Sequence, residues 1–157
     1  PGHIPEGVVN DDLLSHYDFM PTLLDYLGMP LTNEDKLPGS SFAPLLHGEP
    51  LADRGPVVVY DEYGPVRMIR TPDFKYVHRY PYGPFELYDL KNDPDETVNL
   101  YGDEAYADTT RELRAGLSAW FLRYVNPAID GAREPVTGRG QLRRAGVGAD
   151  GVDNYAG

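Results

Sequence analysis

The sequence contains no cysteine. Disulfides, thiolate metal sites and a thiol nucleophile are therefore excluded, and cysteine usage carries no message about redox compartment. No run approaches the roughly 18 apolar residues of a membrane-spanning helix, and the opening residues show no signal-peptide pattern. Positive charge is scarce: 14 Lys and Arg stand against 25 Asp and Glu, for a formal net charge of -11. Such a chain repels nucleic-acid phosphates unless its few basic residues gather on one face, so neither a nucleic acid nor a membrane is expected as a partner. No serine lies in a Gly-x-Ser-x-Gly elbow, and no glycine-rich loop cradles a phosphate.

What is present suits a packed domain. The chain has 157 residues, 41% of them hydrophobic, with 12 Tyr, 5 Phe and 1 Trp. That is enough for a core, and a high tyrosine count favours half-buried strands. The opening "PGHIPEG" begins on turn chemistry without an initiator Met, and is expected to follow a strand outside this sequence.

The stretch "SHYDFMPTLLDYLGMP" (15–30) reads as a helix with both ends marked. Asp18 is placed to cap the first free N–H groups, and Pro21 falls in the first turn, where its missing donor costs nothing. Leu23, Leu24 and Leu27 form the stripe predicted to be buried. Gly28 supplies a left-handed C-terminal position and Pro30 forbids continuation. Residues 31–55 are rich in turn formers, apart from "SFAPLLHG", which predicts a single helical turn.

Four β-rich runs follow at residues 56–63, 66–71, 74–80 and 85–90, separated by proline- and glycine-bearing turns, and such spacing predicts an antiparallel meander. In "FKYVHRY" the alternation puts Phe74, Tyr76, His78 and Tyr80 on one face and Lys75, Val77 and Arg79 on the other. "KNDPDETVNL" reads as a turn in which Asn92 and Asp93 bond their own backbone. Asp103 then caps a helix to about Tyr124, with Tyr106, Leu113, Leu117, Trp120 and Tyr124 as its apolar stripe. At about 22 residues it would reach roughly 33 Å and cover the sheet. From Gly131 to Gly157 there are seven glycines and no apolar period, so this tail cannot fold by itself. Its Arg133, Arg139, Arg143 and Arg144 suggest docking on the acidic body of a second copy, a homo-oligomer.

The candidate chemical groups are thin. Asp11 and Asp12 are adjacent on an extended segment and point apart, which suits a solvated turn better than a metal site. Asp89, Asp93, Asp95 and Glu96 lack the glycine at the sixth position of a calcium loop and read as a turn. His3, His16, His47 and His78 show no pair at the i, i+4 spacing of a helical zinc site. No catalytic or metal residue is assigned.

Taken in order, "PGHIPEG", "SHYDFMPTLLDYLGMP", "LPGSSFAPLLHGEP", "VRMIRTPDFKYVHRY" and "ELYDLKNDPDETVNL" resemble the C-terminal part of a sulfatase of the arylsulfatase type, in the alkaline-phosphatase-like superfamily. The resemblance runs from Pro1 to about Tyr124. It implies the end of an α/β/α domain followed by a C-terminal four-stranded antiparallel sheet packed by a long helix, so this stretch is α+β within an α/β enzyme. The implied divisions are residues 1–55 for the last α/β elements and connecting loop, 56–128 for the sheet and helix, and 129–157 for the tail.

The resemblance also implies hydrolysis of sulfate esters by a formylglycine, made from Cys or Ser in a Cys/Ser-x-Pro-x-Arg motif, assisted by calcium. Neither group is expected on this chain: it has no Cys, and none of its four serines is followed by Pro at two and Arg at four. The implied partners are the upstream catalytic portion and a small sulfated substrate. Arg67, Arg70, His78 and Arg79 are the substrate-binding candidates, because an anionic substrate on an acidic protein needs local positive groups. A phosphonate monoester or phosphodiester hydrolase of the same superfamily, and a non-catalytic binding or assembly module, are the alternative readings.

Overall fold

A computed structural model of the chain describes residues 3–32, 36–52, 54–61, 65–80 and 82–133. The contacts divide it into two units, residues 1–57 and 58–157.

In the first unit a 3-10 turn, His16–Asp18, leads into α1, Phe19–Tyr26, and a further helical turn, α2, spans Ala43–Leu46. Asp18 directly precedes α1, but its carboxylate makes no bond to the helix's own N–H groups. The reason is backbone geometry. Asp18 is already helical at φ -78°, ψ -18°, and the extended conformation of a cap belongs to Ser15 at φ -119°, ψ 158°. The buried Asp18 carboxylate instead accepts from Ser15 N at 2.7 Å and Ser40 N at 2.9 Å, and lies 2.7 Å from Arg54 Nη2.

Thr22 continues this anchorage, donating to the Asp18 carbonyl at 2.6 Å and accepting from Phe42 N at 2.9 Å. Gly39 lets the loop approach, since a Cβ there would stand 2.0 Å from the Tyr17 carbonyl oxygen. The side of α1 that is buried is therefore Pro21 and Thr22. Leu23 and Leu27, predicted to be buried, are 44% and 58% exposed, because α1 turns its polar-anchored side to the loop. Gly28 ends the helix at φ 66°, as its position required.

In the second unit β1, Val57–Tyr60; β2, Val66–Arg70; β3, Phe74–Arg79; and β4, Glu86–Asp89, form one sheet in the order β1-β2-β3-β4. The β2–β3 and β3–β4 pairs are antiparallel, with Ile69 opposite Tyr76 and Tyr76 opposite Leu87. Helix α3, Ala107–Tyr124, lies over one face. It has 18 residues rather than 22, because the residues that Asp103 caps, Glu104–Tyr106, form a 3-10 turn ahead of it. Leu113, Leu117 and Phe121 bury against Val58, Ile69, Tyr76 and Leu87. Trp120 and Tyr124 flank that stripe, half-buried. Phe121, the buried residue one turn beyond Leu117, was not in the predicted stripe.

The turn after β4 is held by acids. Asp89 accepts from Lys91 N, Asn92 N and Asn92 Nδ2, and Asp93 accepts from the Thr97 hydroxyl and Val98 N. Asn92 is thus a donor to Asp89 rather than an acceptor of its own backbone. Asn99 Oδ1 accepts from Leu87 N at 3.0 Å and from Tyr101 N, so it finishes the outer edge of β4. Past α3, Pro127–Ile129 and Gly131–Arg133 form 3-10 turns. The predicted tail contacts through Arg139, Arg143 and Arg144, and through the Arg133 side chain, lie outside what is described.

Candidate functional site

Strand parity sorts the four candidate residues onto two faces. On the helix-covered face Arg67 stands directly opposite His78. On the other, Arg70 is opposite Lys75 and Arg79 opposite Val66. Arg70 and Arg79 therefore sit at opposite ends of the β2–β3 pair, about 13 Å apart along the strands. The four do not form one cluster.

Arg67 is buried, and its guanidinium carbon lies 3.6 Å from the centre of the Phe121 ring and 4.9 Å from that of Tyr80. Its Nη2 pairs with Asp130, while its Nε is buried without a hydrogen-bond partner. His78 is 5% exposed, with ring centres 4.2 Å from Tyr80 and 4.5 Å from Phe85, and it shares a 2.7 Å hydrogen bond with the Tyr76 hydroxyl through Nδ1. Burial, aided by the charges of Arg114 and Arg67, pushes the imidazole down to about 4, so it is neutral near pH 7. Burial likewise pushes the Tyr76 hydroxyl up to about 12. The helix-side pair is thus one cation in an aromatic box beside one neutral ring.

On the opposite face Arg79 Nη1 donates to Glu86 Oε1 at 2.6 Å and to the Pro84 carbonyl at 3.1 Å. Lys75 pairs with Glu96. Arg70, at the end of β2, is exposed, and its side chain makes no hydrogen bond or ion pair among the described residues. The turn acids are committed to backbone. Hydrogen bonds from Asn92 hold the Asp89 carboxyl below its usual range, and those from Thr97 and Val98 do the same for Asp93. Among the described residues no group of three or more His, Asp or Glu side chains is placed to hold a metal ion, and no helix is long and apolar enough to cross a membrane. In the first unit a cavity of about 580 Å³ is lined by Pro21, Asp25, Met29, Leu31, Ser40 and Ser41, among others, and the Ser41 hydroxyl donates to Asp25 across its wall.

Sequence reasoning placed Tyr76 and Tyr80 on the face of His78 but gave no role to Phe121 and Asp130, which complete the surroundings of Arg67. Parity alone pairs β2 with β3. The helix residue and the distant aspartate carry no local signal, because Asp130 is 63 residues from Arg67 along the chain.

A four-stranded antiparallel sheet under one long helix, without an assembled nucleophile or metal centre among the described residues, defines an α+β class of subdomain. The chain belongs to the family described as N-sulphoglucosamine sulphohydrolase, C-terminal, whose model matches residues 1–121. It is 39% identical over 113 residues to a Delta 4,5-hexuronate-2-O-sulfatase of Bacteroides thetaiotaomicron, covering 68% of this chain and 23% of that protein. An N-acetylglucosamine-6-O-sulfatase of the same organism is 33% identical over 154 residues, covering 91% of this chain and 27% of the relative. Among solved structures, a 2-O GAG sulfatase matches with TM-score 0.57 and 38% identity, over 68% of this chain and 24% of its own. A phosphonate monoester hydrolase of Agrobacterium radiobacter matches with TM-score 0.53 and 30% identity, over 67% and 24%. The chain spans about a quarter of the length of the curated relatives it matches. The sulfatase resemblance and the α+β architecture expected from it both hold.

Proposed function

We propose that this chain is the C-terminal part of an enzyme that hydrolyses sulfate esters, and that it supplies scaffold and pocket wall rather than the bond-breaking centre. The observation that carries this reading is the sulfatase family match over residues 1–121. Two relatives bear names that place the sulfate on a hexuronate and on N-acetylglucosamine, so a sulfated sugar is the substrate class we favour.

On this reading the nucleophile, a formylglycine in the parent enzyme, and its calcium ion belong to the upstream portion. The described residues of this chain do not fit either group: there is no cysteine, no serine in the required motif and no cluster of metal ligands. The upstream portion is the principal partner, and the exposed Leu23 and Leu27 side of α1 offers it apolar surface. Of the four candidates, Arg70 is best placed to meet a substrate sulfate, because Arg67 and Arg79 already hold carboxylates and His78 is neutral.

The test uses the full-length protein with a sulfated monosaccharide and an aryl sulfate, against a phenylphosphonate monoester. Sulfate release with Arg70→Ala raising KM and leaving kcat nearly unchanged is the expected result. The likeness to a phosphonate monoester hydrolase supports the second reading. Faster turnover of the phosphonate ester, with no sulfate released, would establish it instead.

A further inference from the structure

We propose that Arg67 is an oxyanion-receiving site held closed by the chain's own Asp130, so that residues 126–133 act as a strap that lifts to admit a sulfate or a sugar carboxylate. The choice of sulfate rests on the sulfatase reading above; the closed site itself rests on the contacts of Arg67.

The side chain of Arg67 is only 6% exposed, and among the described residues its ion pair is with Asp130, which lies outside the sheet and α3. Phe121 and Tyr80 cover the flat faces of the guanidinium, leaving its N–H edge as the part that can bind. Across the strand pair stands His78, whose ring is neutral and offers no counter-charge. Among the described residues Arg67 pairs with the carboxylate of Asp130, which meets a single guanidinium nitrogen, and Nε is left buried and unpartnered. An arginine fork takes a planar or tetrahedral oxyanion through two N–H groups, so a single-point contact with a bare Nε leaves half its capacity unused.

Asp130 arrives on a short segment past α3 whose side-chain hydrogen bonds, the pair with Arg67 apart, are local, with Ala132 buried. The helix ends at Tyr124, and residues 126–133 form two short 3-10 turns that satisfy themselves locally. Asn126 Oδ1 accepts from Ala128 N at 3.0 Å, and Asp130 Oδ1 accepts from Ala132 N at 2.9 Å. The family model ends at residue 121, so Arg67 belongs to the shared part and Asp130 lies beyond it. The Asp130 side chain is 26% exposed, four times as open as the arginine it covers, which puts the carboxylate at the mouth of the box. Removing it would leave a buried cation without a counter-charge, a state that recruits an anion from solution.

The experiment compares the full-length protein with Asp130→Ala and Asp130→Asn in thermal melts, titrating sodium sulfate against sodium chloride at matched ionic strength. Either variant is expected to gain a saturable, sulfate-specific rise in Tm at least threefold larger than that of the parent. Asp130→Ala combined with Arg67→Gln should fall back to the parent's rise. Phenylglyoxal should modify Arg67 in the Asp130 variants but not in the parent, and sulfate should restore protection. A folded single variant whose sulfate-specific rise does not exceed the parent's, or a double variant that keeps the excess, would show the pair to be purely structural. If neither variant folds in chloride, folding rescued by sulfate supports the closed site and failure in sulfate overturns it. Turnover enters none of these readouts, so their failure and that of the sulfatase reading are distinguishable.

Discussion

Protonating His78 should unlock the sheet-and-helix unit from within. The ring is 5% exposed, wedged between Tyr80 and Phe85 and tied to the Tyr76 hydroxyl at 2.7 Å, with its proton affinity lowered from 6.5 to about 4. Above pH 6.5 the imidazole is neutral in both folded and unfolded chains, and its contribution is fully present. As pH falls from 6.5 towards 4 the unfolded chain takes up a proton that the folded one refuses, so stability drops until the folded ring also titrates. A difference of about 2.5 pH units corresponds to a ceiling of about 3 kcal/mol. Solvent screening of the nearby arginine charges reduces the working figure to about 2 kcal/mol, still a sizeable share of a typical domain's stability. The assay is denaturant unfolding followed by Trp120 fluorescence at pH 7.0, 5.5 and 4.5, for the parent and His78→Gln. The parent should lose about 2 kcal/mol more than the variant over that range, because contributions from Asp89 and Asp93 are common to both. Parallel pH profiles would refute the reasoning.

Three further substitutions probe the rest of the framework. Leu117→Ala, at a residue 3% exposed in the middle of α3, should cost about 3 kcal/mol in denaturant unfolding without shifting the pH profile. Thr22→Val removes the hydroxyl that both donates to Asp18 and accepts from Phe42 in the first unit. It should lower stability by about 2 kcal/mol, with faster amide exchange at Phe42 as the local readout. Asn99→Ala leaves the N–H of the fully buried Leu87 without its acceptor and should cost about 1 to 3 kcal/mol. Asn99→Asp keeps the acceptor but sets a carboxylate oxygen against the Phe85 carbonyl, and should recover only part of that loss in the same measurement.

Local chemistry was readable where a residue's neighbours along the chain decide its role. The four strand segments, the turn at Gly28, the cap at Asp103 and the alternating faces of β3 all follow from short-range geometry, since side-chain direction in a strand is fixed by parity and a left-handed turn needs glycine. The ordered motifs, among them the helix start at Asp18 to Leu24 and the run from Leu87 to Leu100, were also enough to suggest the family, although the hydrogen-bond partners of their acids could not be foreseen. Which side of α1 is buried could not be read in this way. Leucine spacing marks an apolar face but not what covers it, and the Asp18 and Thr22 bonds to residues 40 and 42 give the polar side to the loop.

The amino-acid order alone determined the strand and helix segments and the antiparallel sequence of the sheet. Only the tertiary structure decided the state of the charged groups. Arg67 and Arg79 look alike in the sequence, yet one is boxed between two rings with Asp130 and the other lies on the opposite face with Glu86. The proton affinity of His78 fell to about 4 only when folding buried the ring near Arg114 and Arg67. The physical reason is that charge and proton affinity depend on burial and on partners brought from afar, and these exist only once the chain has folded.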